Sequence, residues 1–251
     1  MAGAAARGAD FTAAYDAKIL HPETRALYGG GDFYNVGDWS RGAASLEEAC
    51  ADLAYRHLDL AEASPRAPGR ILDVGCGLGA GTALVARALP ASRVTGINLS
   101  RRQVEHARSR FPEADFRVMD AASLDFEDGS FDLVLSVEAA FHFETREAFL
   151  GEARRVLRPG GCLVLSDILY RTTRWIGGWS VPEANRLPDL ESYRALCRRA
   201  GFEIAEMEDA TRATWLGFCR HLERLDGGMA DFARRLERSV DVYLLARLVR
   251  P

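Results

Sequence analysis

One stretch of nine residues decides the expected fold: Ile71-Leu72-Asp73-Val74-Gly75-Cys76-Gly77-Leu78-Gly79. Its first half is largely apolar, as in a buried strand, and its second half has glycine at every other position. Glycines at the end of a strand let the backbone turn sharply and approach a ligand where the next helix begins. The stretch therefore predicts a strand, a ligand-binding turn and a helix.

The chain around this stretch alternates between short apolar runs and amphipathic segments. We predict strands at Arg70–Val74, Val94–Leu99, Phe116–Met119, Phe131–Val137, Cys162–Ile168, Glu203–Glu208 and Val240–Val249. We predict helices near Leu46–Leu60, Gly81–Leu89, Arg101–Arg110, Thr145–Leu157, Asp189–Ala200 and Trp215–Leu225. This alternation indicates parallel strands joined by right-handed crossovers. The expected fold is a Rossmann-like, doubly wound α/β sheet of seven mostly parallel strands, with helices on both faces and an α-helical or loop lid.

Composition narrows the class of partner. A net charge of -4 and a pI near 5.8 give no general attraction to nucleic acids or membranes, so a small-molecule partner is expected. The five cysteines never form a CxxC pair, and no cluster of His, Asp and Glu has ligand spacing, so neither disulfides nor a metal site is predicted. Without an apolar leader or a segment of transmembrane length, we expect a cytoplasmic protein.

The glycine stretch resembles motif I of class I SAM-dependent methyltransferases, and the resemblance covers roughly residues 68–168. In that family an acid, here Asp73, precedes a GxGxG turn, here Gly75, Gly77 and Gly79. Dinucleotide-binding proteins use GxGxxG for similar steric reasons, so the strict spacing and the acid together favour SAM. The resemblance implies that S-adenosylmethionine is the cofactor and that this turn holds its methionine end.

The second strand ends in a further match. Asn98 occupies the position where the family usually has an acid for the ribose hydroxyls, and the run from Gly96 to Gln103 resembles a variant shared with cyclopropane-synthase-like and small-molecule methyltransferases. We therefore assign Asn98, Leu99 and Gln103 to cofactor binding. Ser100 and Gln103 also fit a capping box, S-x-x-Q, and both interpretations stay open.

Two later strand ends complete the predicted cofactor site. Asp120 and Ala121 match the family position that receives the adenine, although Asp120 alternatively caps a turn or helix. Glu138 ends the fourth strand at the mouth of the same cleft, where it either lines the cofactor site or orients backbone.

His142 is the candidate general base. Its ring follows the fourth strand, and an unperturbed imidazole titrates near neutrality, which suits removal of a hydroxyl proton. Asp167 ends the adjacent strand and could orient the imidazole, a placement that resembles bacterial sugar and polyketide O-methyltransferases. Alternatively, His142 packs at the rim and Asp167 caps a turn. The other histidines, expected on loops or helix surfaces, are His21, His57, His106 and His221.

These features predict methyl transfer to a small molecule, with a hydroxyl of a sugar or polyketide-type natural product as the expected acceptor. Residues 1–64 are assigned to an N-terminal lid segment and residues 65–251 to the SAM-binding domain, with an acceptor-pocket insertion around 170–188. Alternatives are C- or N-methylation, a cyclase or isomerase that does not consume SAM, and a non-catalytic SAM-binding protein. A homodimer is possible. The aromatic residues expected at the acceptor pocket or lid are Tyr28, Phe33, Tyr34, Trp39, Trp175 and Trp179.

Overall fold

A computed structural model describes residues 12–62, 67–172, 181–225 and 228–251. Its strands are β1 (Arg70–Val74), β2 (Arg93–Asn98), β3 (Asp115–Val118), β4 (Phe131–Val137), β5 (Leu157–Tyr170), β6 (Glu203–Asp209) and β7 (Val240–Val249). Its helices are α1 (within 12–19), α2 (Pro22–Leu27), α3 (Leu46–Glu62), α4 (Ala80–Ala88), α5 (Arg101–Arg110), α6 (Arg146–Val156), α7 (Leu190–Arg199), α8 (Trp215–Glu223) and α9 (Met229–Glu237). Short 3₁₀ turns occupy Ala140–His142 and Glu183–Asn185. Within the described ranges, none of the helices combines the length and apolar character needed to cross a membrane.

The strands form one sheet in the order β3-β2-β1-β4-β5-β7-β6. Strands β1 to β5 run parallel, whereas β7 lies antiparallel between β5 and β6. The chain moves outward from β1 to β3 and then returns to the other side of β1, so the order reverses between β1 and β4. Ligands bind beyond the carboxyl ends of the strands at such a reversal. This topology confirms the predicted Rossmann-like, doubly wound α/β fold.

Alternate residues of the central strands face opposite layers of helices. On β4, Val134 packs in a buried cluster with Phe149 of α6, whereas its neighbour Leu133 packs with Leu84 of α4 and Leu58 of α3. Strands buried on both faces carry continuous apolar runs, which is why their sequences do not alternate with polar residues. Helices therefore cover both faces of the sheet, as predicted.

Two elements differ from their predicted extents. Strand β5 begins at Leu157 rather than at Cys162, because the chain continues through a register shift opposite β4, with Gly160 in the left-handed region at φ +77°. Helix α9 is absent from the prediction. Its apolar residues Met229, Phe232, Ala233 and Leu236 have the i, i+3, i+4 and i+7 spacing of a helix face, so the sequence carried a helical signal that the prediction missed.

The N-terminal chain reaches over the carboxyl edge of the sheet. The N–H of Val36 donates to Glu138, directly after β4, and the Asp16 carboxylate of α1 accepts from Ser100, beyond β2. Helix α3 instead packs on the face of the sheet through Leu58. The overhanging part of the predicted lid segment therefore lies before α3. In the predicted acceptor-pocket insertion, residues 173–180 fall outside the described residues.

Candidate active site

The glycine turn after β1 folds against the end of β2. The N–H groups of Gly75 and Cys76 both donate to the carbonyl of Ile97, at 2.9 and 3.0 Å. Gly77 has φ +55°, and a Cβ placed there would meet no protein atom within 4 Å. Gly79 is the N-cap of α4, whose first N–H groups have no partner within the helix. The turn thus leaves space for a ligand beside Gly77 and presents the free N–H groups of α4 to it, at the predicted place.

Asp73 lies near the carboxyl end of β1, beside this turn. Its Oδ2 accepts a 2.5 Å hydrogen bond from the Thr82 hydroxyl of α4, and the residue is only 6% exposed. Burial raises the pKa of Asp73 to about 6, and the bond from Thr82 opposes that rise. No cation among the described residues contributes to this pKa shift. A buried carboxylate of this kind fits the ammonium group at the methionine end of the predicted cofactor.

Asn98 and Gln103 form a hydrogen-bonded pair beyond β2. Asn98 Nδ2 donates to Gln103 Oε1 at 3.1 Å, and Asn98 Oδ1 accepts from the Ser100 N–H. Ser100 caps α5 by accepting from the Gln103 N–H, which confirms that half of the predicted box. The Gln103 side chain instead donates through Nε2 to Asp16 of α1 at 2.7 Å. Gln103 therefore joins the predicted ribose end of the site to the lid.

Leu99 and Asp120 follow the neighbouring strands β2 and β3. Leu99 is 41% exposed, so it offers an apolar surface at the mouth of the crevice that a flat ring could cover. Asp120 Oδ1 accepts from the Ala122 N–H at 2.8 Å, which is the turn-capping alternative. Ala121 is buried beside it. The contact of Asp120 and Ala121 with adenine stays a prediction.

The Glu138 side chain binds the backbone of the predicted N-terminal lid segment at Val36. Both carboxylate oxygens accept the Val36 N–H, at 3.0 and 3.1 Å, and Oε1 also accepts the Tyr243 hydroxyl at 2.8 Å. Burial raises the pKa of Glu138 to about 7, while these bonds lower it. Its φ of +51° is uncommon for a residue with a side chain. These contacts favour the backbone-orienting alternative, and contact with the cofactor stays a prediction.

His142 ends the 3₁₀ turn after β4, and this turn lies against the glycine turn. A Cβ placed on Gly75 would come within 2.4 Å of the Ala139 Cβ, so the two turns are in close contact. The His142 ring lies edge-on to Tyr15 of α1, with 5.4 Å between ring centroids, and Tyr15 lies 5.9 Å from Tyr34. The turn that carries His142 therefore touches the glycine turn through Ala139, and the partly buried imidazole contacts Tyr15 of α1.

Asp167 has partners other than the predicted one. Its carboxylate accepts two bonds from the Arg146 guanidinium, at 2.6 and 3.1 Å, and one from the Tyr193 hydroxyl at 2.8 Å. The described hydrogen bonds of Asp167 do not include His142, and its predicted role in orienting the imidazole stays a prediction. A fully buried carboxylate requires a buried cation or several donors, and Arg146 provides both.

The lid aromatics divide into two groups. The ring centroids of Tyr28 and Tyr34 lie 4.9 Å apart, and Tyr34 contacts Tyr15, whose ring contacts His142. Trp39 instead packs against Gly217 of α8 and lies 4.8 Å from the ring of His221. The missing side chain at Gly217 gives the indole its space on α8, and a role for Trp39 at the acceptor pocket or lid stays a prediction. The predicted acceptor-pocket residues outside the described part of the chain are Trp175 and Trp179.

The other histidines have structural contacts. His57 is buried, with its Nδ1 2.8 Å from the Leu53 carbonyl, and so does not lie on a helix surface as expected. His21 caps α2, and His106 lies 3.1 Å from Asp32. In the part of the chain that the structure describes, no three His, Cys, Asp or Glu side chains converge as metal ligands.

Sequence reasoning missed three residues at this site: Asp16, Arg146 and Asn185. Their partners are distant along the chain, 84 residues away for Asp16 and Ser100, so no local sequence pattern indicates Asp16 or Asn185. Arg146 carries the one usable signal. It is the first residue of α6, where the helix dipole disfavours a cation, so an arginine there needs an anionic partner.

Known proteins with related sequences are methyltransferases. A family model described as "Methyltransferase domain" matches residues 72–165. The 27-O-demethylrifamycin SV methyltransferase of Amycolatopsis mediterranei is 35% identical over 215 residues, which cover 78% of this chain and 76% of that protein. The erythromycin 3''-O-methyltransferase of Saccharopolyspora erythraea is 32% identical over 213 residues, 75% of this chain and 68% of that protein.

A solved structure extends the likeness to nearly the whole chain. The [4+2]-cyclase SpnF superposes with a TM-score of 0.75 and 25% identity, over 95% of this chain and 96% of that chain. The region matched by the family model contains the glycine turn, the ends of β2, β3 and β4, and the His142 turn. The chain belongs to the class I SAM-dependent methyltransferases, and its cofactor is S-adenosylmethionine.

Proposed function

We propose that this enzyme methylates a hydroxyl of a sugar or polyketide-type natural product, with His142 as the general base. The observation that carries the proposal is the position of His142: Ala139, the N-cap of its turn, contacts Gly75, and the imidazole lies edge-on to Tyr15 of α1. The O-directed activities in the names of the two relatives support a hydroxyl acceptor.

The residues of the site divide the chemistry. Bound S-adenosylmethionine supplies an electrophilic methyl group. The glycine turn and Asp73 hold its methionine end, and the lid excludes water from the crevice. His142 would accept the proton that the acceptor hydroxyl loses on methylation, and S-adenosylhomocysteine would be the leaving group of the methyl donor. Since the displacement is in line, alignment of the acceptor contributes much of the acceleration.

Labelled cofactor tests the reaction. Incubation with methyl-labelled S-adenosylmethionine and a panel of hydroxylated acceptors, 27-O-demethylrifamycin SV among them, should yield S-adenosylhomocysteine and a labelled O-methyl product. Locating the label by NMR separates O-methylation from methylation at carbon or nitrogen. A labelled C- or N-methyl product would overturn the hydroxyl assignment.

Substitution of His142 tests the base. We expect His142→Ala to lower the single-turnover rate about 10²- to 10⁴-fold while the Kd for S-adenosylmethionine changes less than about twofold. His21→Ala is the matched control, because it removes an exposed histidine that caps α2. Undiminished turnover by His142→Ala would refute the role. A collapse in cofactor affinity would instead place His142 in the cofactor site.

A cyclase or isomerase is the second candidate, favoured by the likeness to the cyclase SpnF over nearly the whole chain. Such an enzyme would convert its substrate with S-adenosylmethionine bound and unconsumed. Product formation without release of S-adenosylhomocysteine would favour this function over methyl transfer.

A further inference from the structure

One side chain holds the peptide groups on both sides of His142. The 3₁₀ turn Ala140–His142 leaves the carbonyls of Phe141 and Phe143 directed toward Asn185. Asn185 Nδ2 donates to both carbonyls, at 3.1 Å and 2.7 Å. Asn185 therefore holds the peptide directly before His142 and the peptide that follows Phe143, one residue further along the chain.

The amide group of Asn185 is itself fixed in orientation. Its Oδ1 accepts from the Arg146 N–H at 2.8 Å, a group at the start of α6 that has no partner within the helix. Exchanging the amide oxygen and nitrogen would set an oxygen against two carbonyls and an NH₂ against an N–H, so the three bonds define one arrangement. Because Asn185 is only 2% exposed, water does not compete for these bonds.

The Arg146–Asp167 ion pair helps to hold Asn185 in this orientation. The Arg146 guanidinium donates to the backbone carbonyl of Asn185, to Asp167 and to the carbonyl of Ile168. The Tyr193 hydroxyl also donates to Asp167. Two-point bonds between guanidinium and carboxylate are directional, so Asp167 fixes Arg146, and Arg146 fixes Asn185.

We propose that Asn185 is a positioning residue for His142, and that Asp167 acts on the histidine only through Arg146 and Asn185. The proposal rests on the proposed function in taking His142 as the base. Asn185 lies within the predicted acceptor-pocket segment, around residues 170–188, so the same bonds join the described end of that segment to the histidine turn. A small displacement of a base costs much of its effect, since proton removal needs correct distance and direction.

A double-mutant cycle tests the kinetic part. With the acceptor that proves active in the labelled-cofactor panel, Asn185→Ala should slow single-turnover methylation roughly 10- to 100-fold while cofactor affinity changes less than about twofold. In the His142→Ala background the same substitution should have almost no further effect. Arg186→Ala, which removes the exposed neighbouring side chain, is the matched control. Equal losses from Asn185→Ala in both backgrounds would overturn the proposal.

NMR of the histidine rings tests the placement without reference to turnover. In ¹³C-histidine-labelled protein with S-adenosylhomocysteine, the His142 Cε1–H signal is identified by its loss in His142→Ala. Asn185→Ala should shift that signal and leave those of His21 and His221 in place. An unmoved His142 signal would overturn the proposal. A shifted signal together with undiminished turnover by His142→Ala would uphold the placement and reject His142 as the base.

Asn185→Asp keeps the test decisive if the alanine variant does not fold. The aspartate has the same shape and retains an acceptor for the Arg146 N–H, but it lacks the donors to Phe141 and Phe143. It should shift the same His142 signal, and a signal unchanged in a folded Asn185→Asp protein would also overturn the proposal.

Discussion

At the level of single residues, Asp73 should couple cofactor binding to the release of a proton. Its carboxyl group is buried beside the Thr82 hydroxyl, and burial raises its pKa to about 6. A nearby cation has the opposite effect, because it favours the charged form of the acid. Binding of an ammonium group should therefore expel a proton from Asp73 whenever the free site is protonated.

We expect the affinity for S-adenosylmethionine to fall as the pH decreases through about 6, the pKa of Asp73. Below that value the free site carries a neutral carboxyl, and above it the carboxylate is already formed, so affinity should level off. Calorimetric titrations across this range would measure the dependence. Asp73→Asn should bind weakly and without this step. If the variant kept the step, another group would be responsible, Glu138 first, since its pKa is raised to about 7.

At the level of elements, helix α1 docks through a buried carboxylate. Asp16 is 4% exposed and accepts from the Ser100 hydroxyl and Gln103 Nε2, both at 2.7 Å. The N-terminus of α5 favours a negative charge at this place. Because Gln103 also contacts Asn98, the lid and the predicted ribose end of the site share one hydrogen-bond network.

Asp16→Ala should loosen the lid and weaken cofactor binding. Hydrogen bonds to a charged group are worth about 1.5 kcal/mol or more each, so losing even one of them from the closed site corresponds to roughly tenfold in affinity, and a loss of at least that size is expected. Calorimetry would measure the Kd, and limited proteolysis would report exposure of α1. Glu105→Ala, an exposed acid on α5, provides the matched control. Equal affinities for the two variants would show that α1 does not contribute to the closed site.

The contact between Trp39 and α8 gives a second prediction at this scale. A Cβ at Gly217 would lie 2.4 Å from Cδ1 of the indole, whereas one at Gly151 in α6 would meet nothing within 4 Å. Gly151→Ala should stabilise the protein by up to about 1 kcal/mol, the gain in helix propensity. Gly217→Ala should instead destabilise it, since overpacking typically costs about 1–3 kcal/mol. Urea unfolding would measure both, and equal stabilisation would show that the indole does not need this gap.

At the level of the whole molecule, the sequence predicts those features that residues close together in the chain determine, such as strands and turns. Apolar runs and glycines predicted seven strands, and all seven are present. Contacts between distant segments were not predictable in this way. Val36 and Glu138, which join the lid to the sheet, are 102 residues apart. The prediction that β4 and β5 are neighbours is correct. The face of the sheet on which Asp167 projects depends on register, however, and its side chain projects toward Tyr193.

The same buried acid connects several parts of the fold. Asp167 of β5 pairs with Arg146 of α6 and accepts the hydroxyl of Tyr193 in α7. Both members of the ion pair are almost completely buried. Removing one member of such a pair leaves a charge without solvent or partner, which costs much more than the pair contributes when it is complete.

Asp167→Asn should therefore lower the free energy of unfolding by about 3–5 kcal/mol. Asp241→Asn, the control, removes the partner of the largely exposed Arg171 and should cost less than about 1 kcal/mol. Urea unfolding followed by circular dichroism would measure both. A large loss specific to Asp167→Asn would show that the acid stabilises the fold around Arg146. If Asp167→Asn instead matched the control in stability but lost methyl transfer, Asp167 would serve the reaction, directly or through Arg146 and Asn185, rather than the stability of the fold.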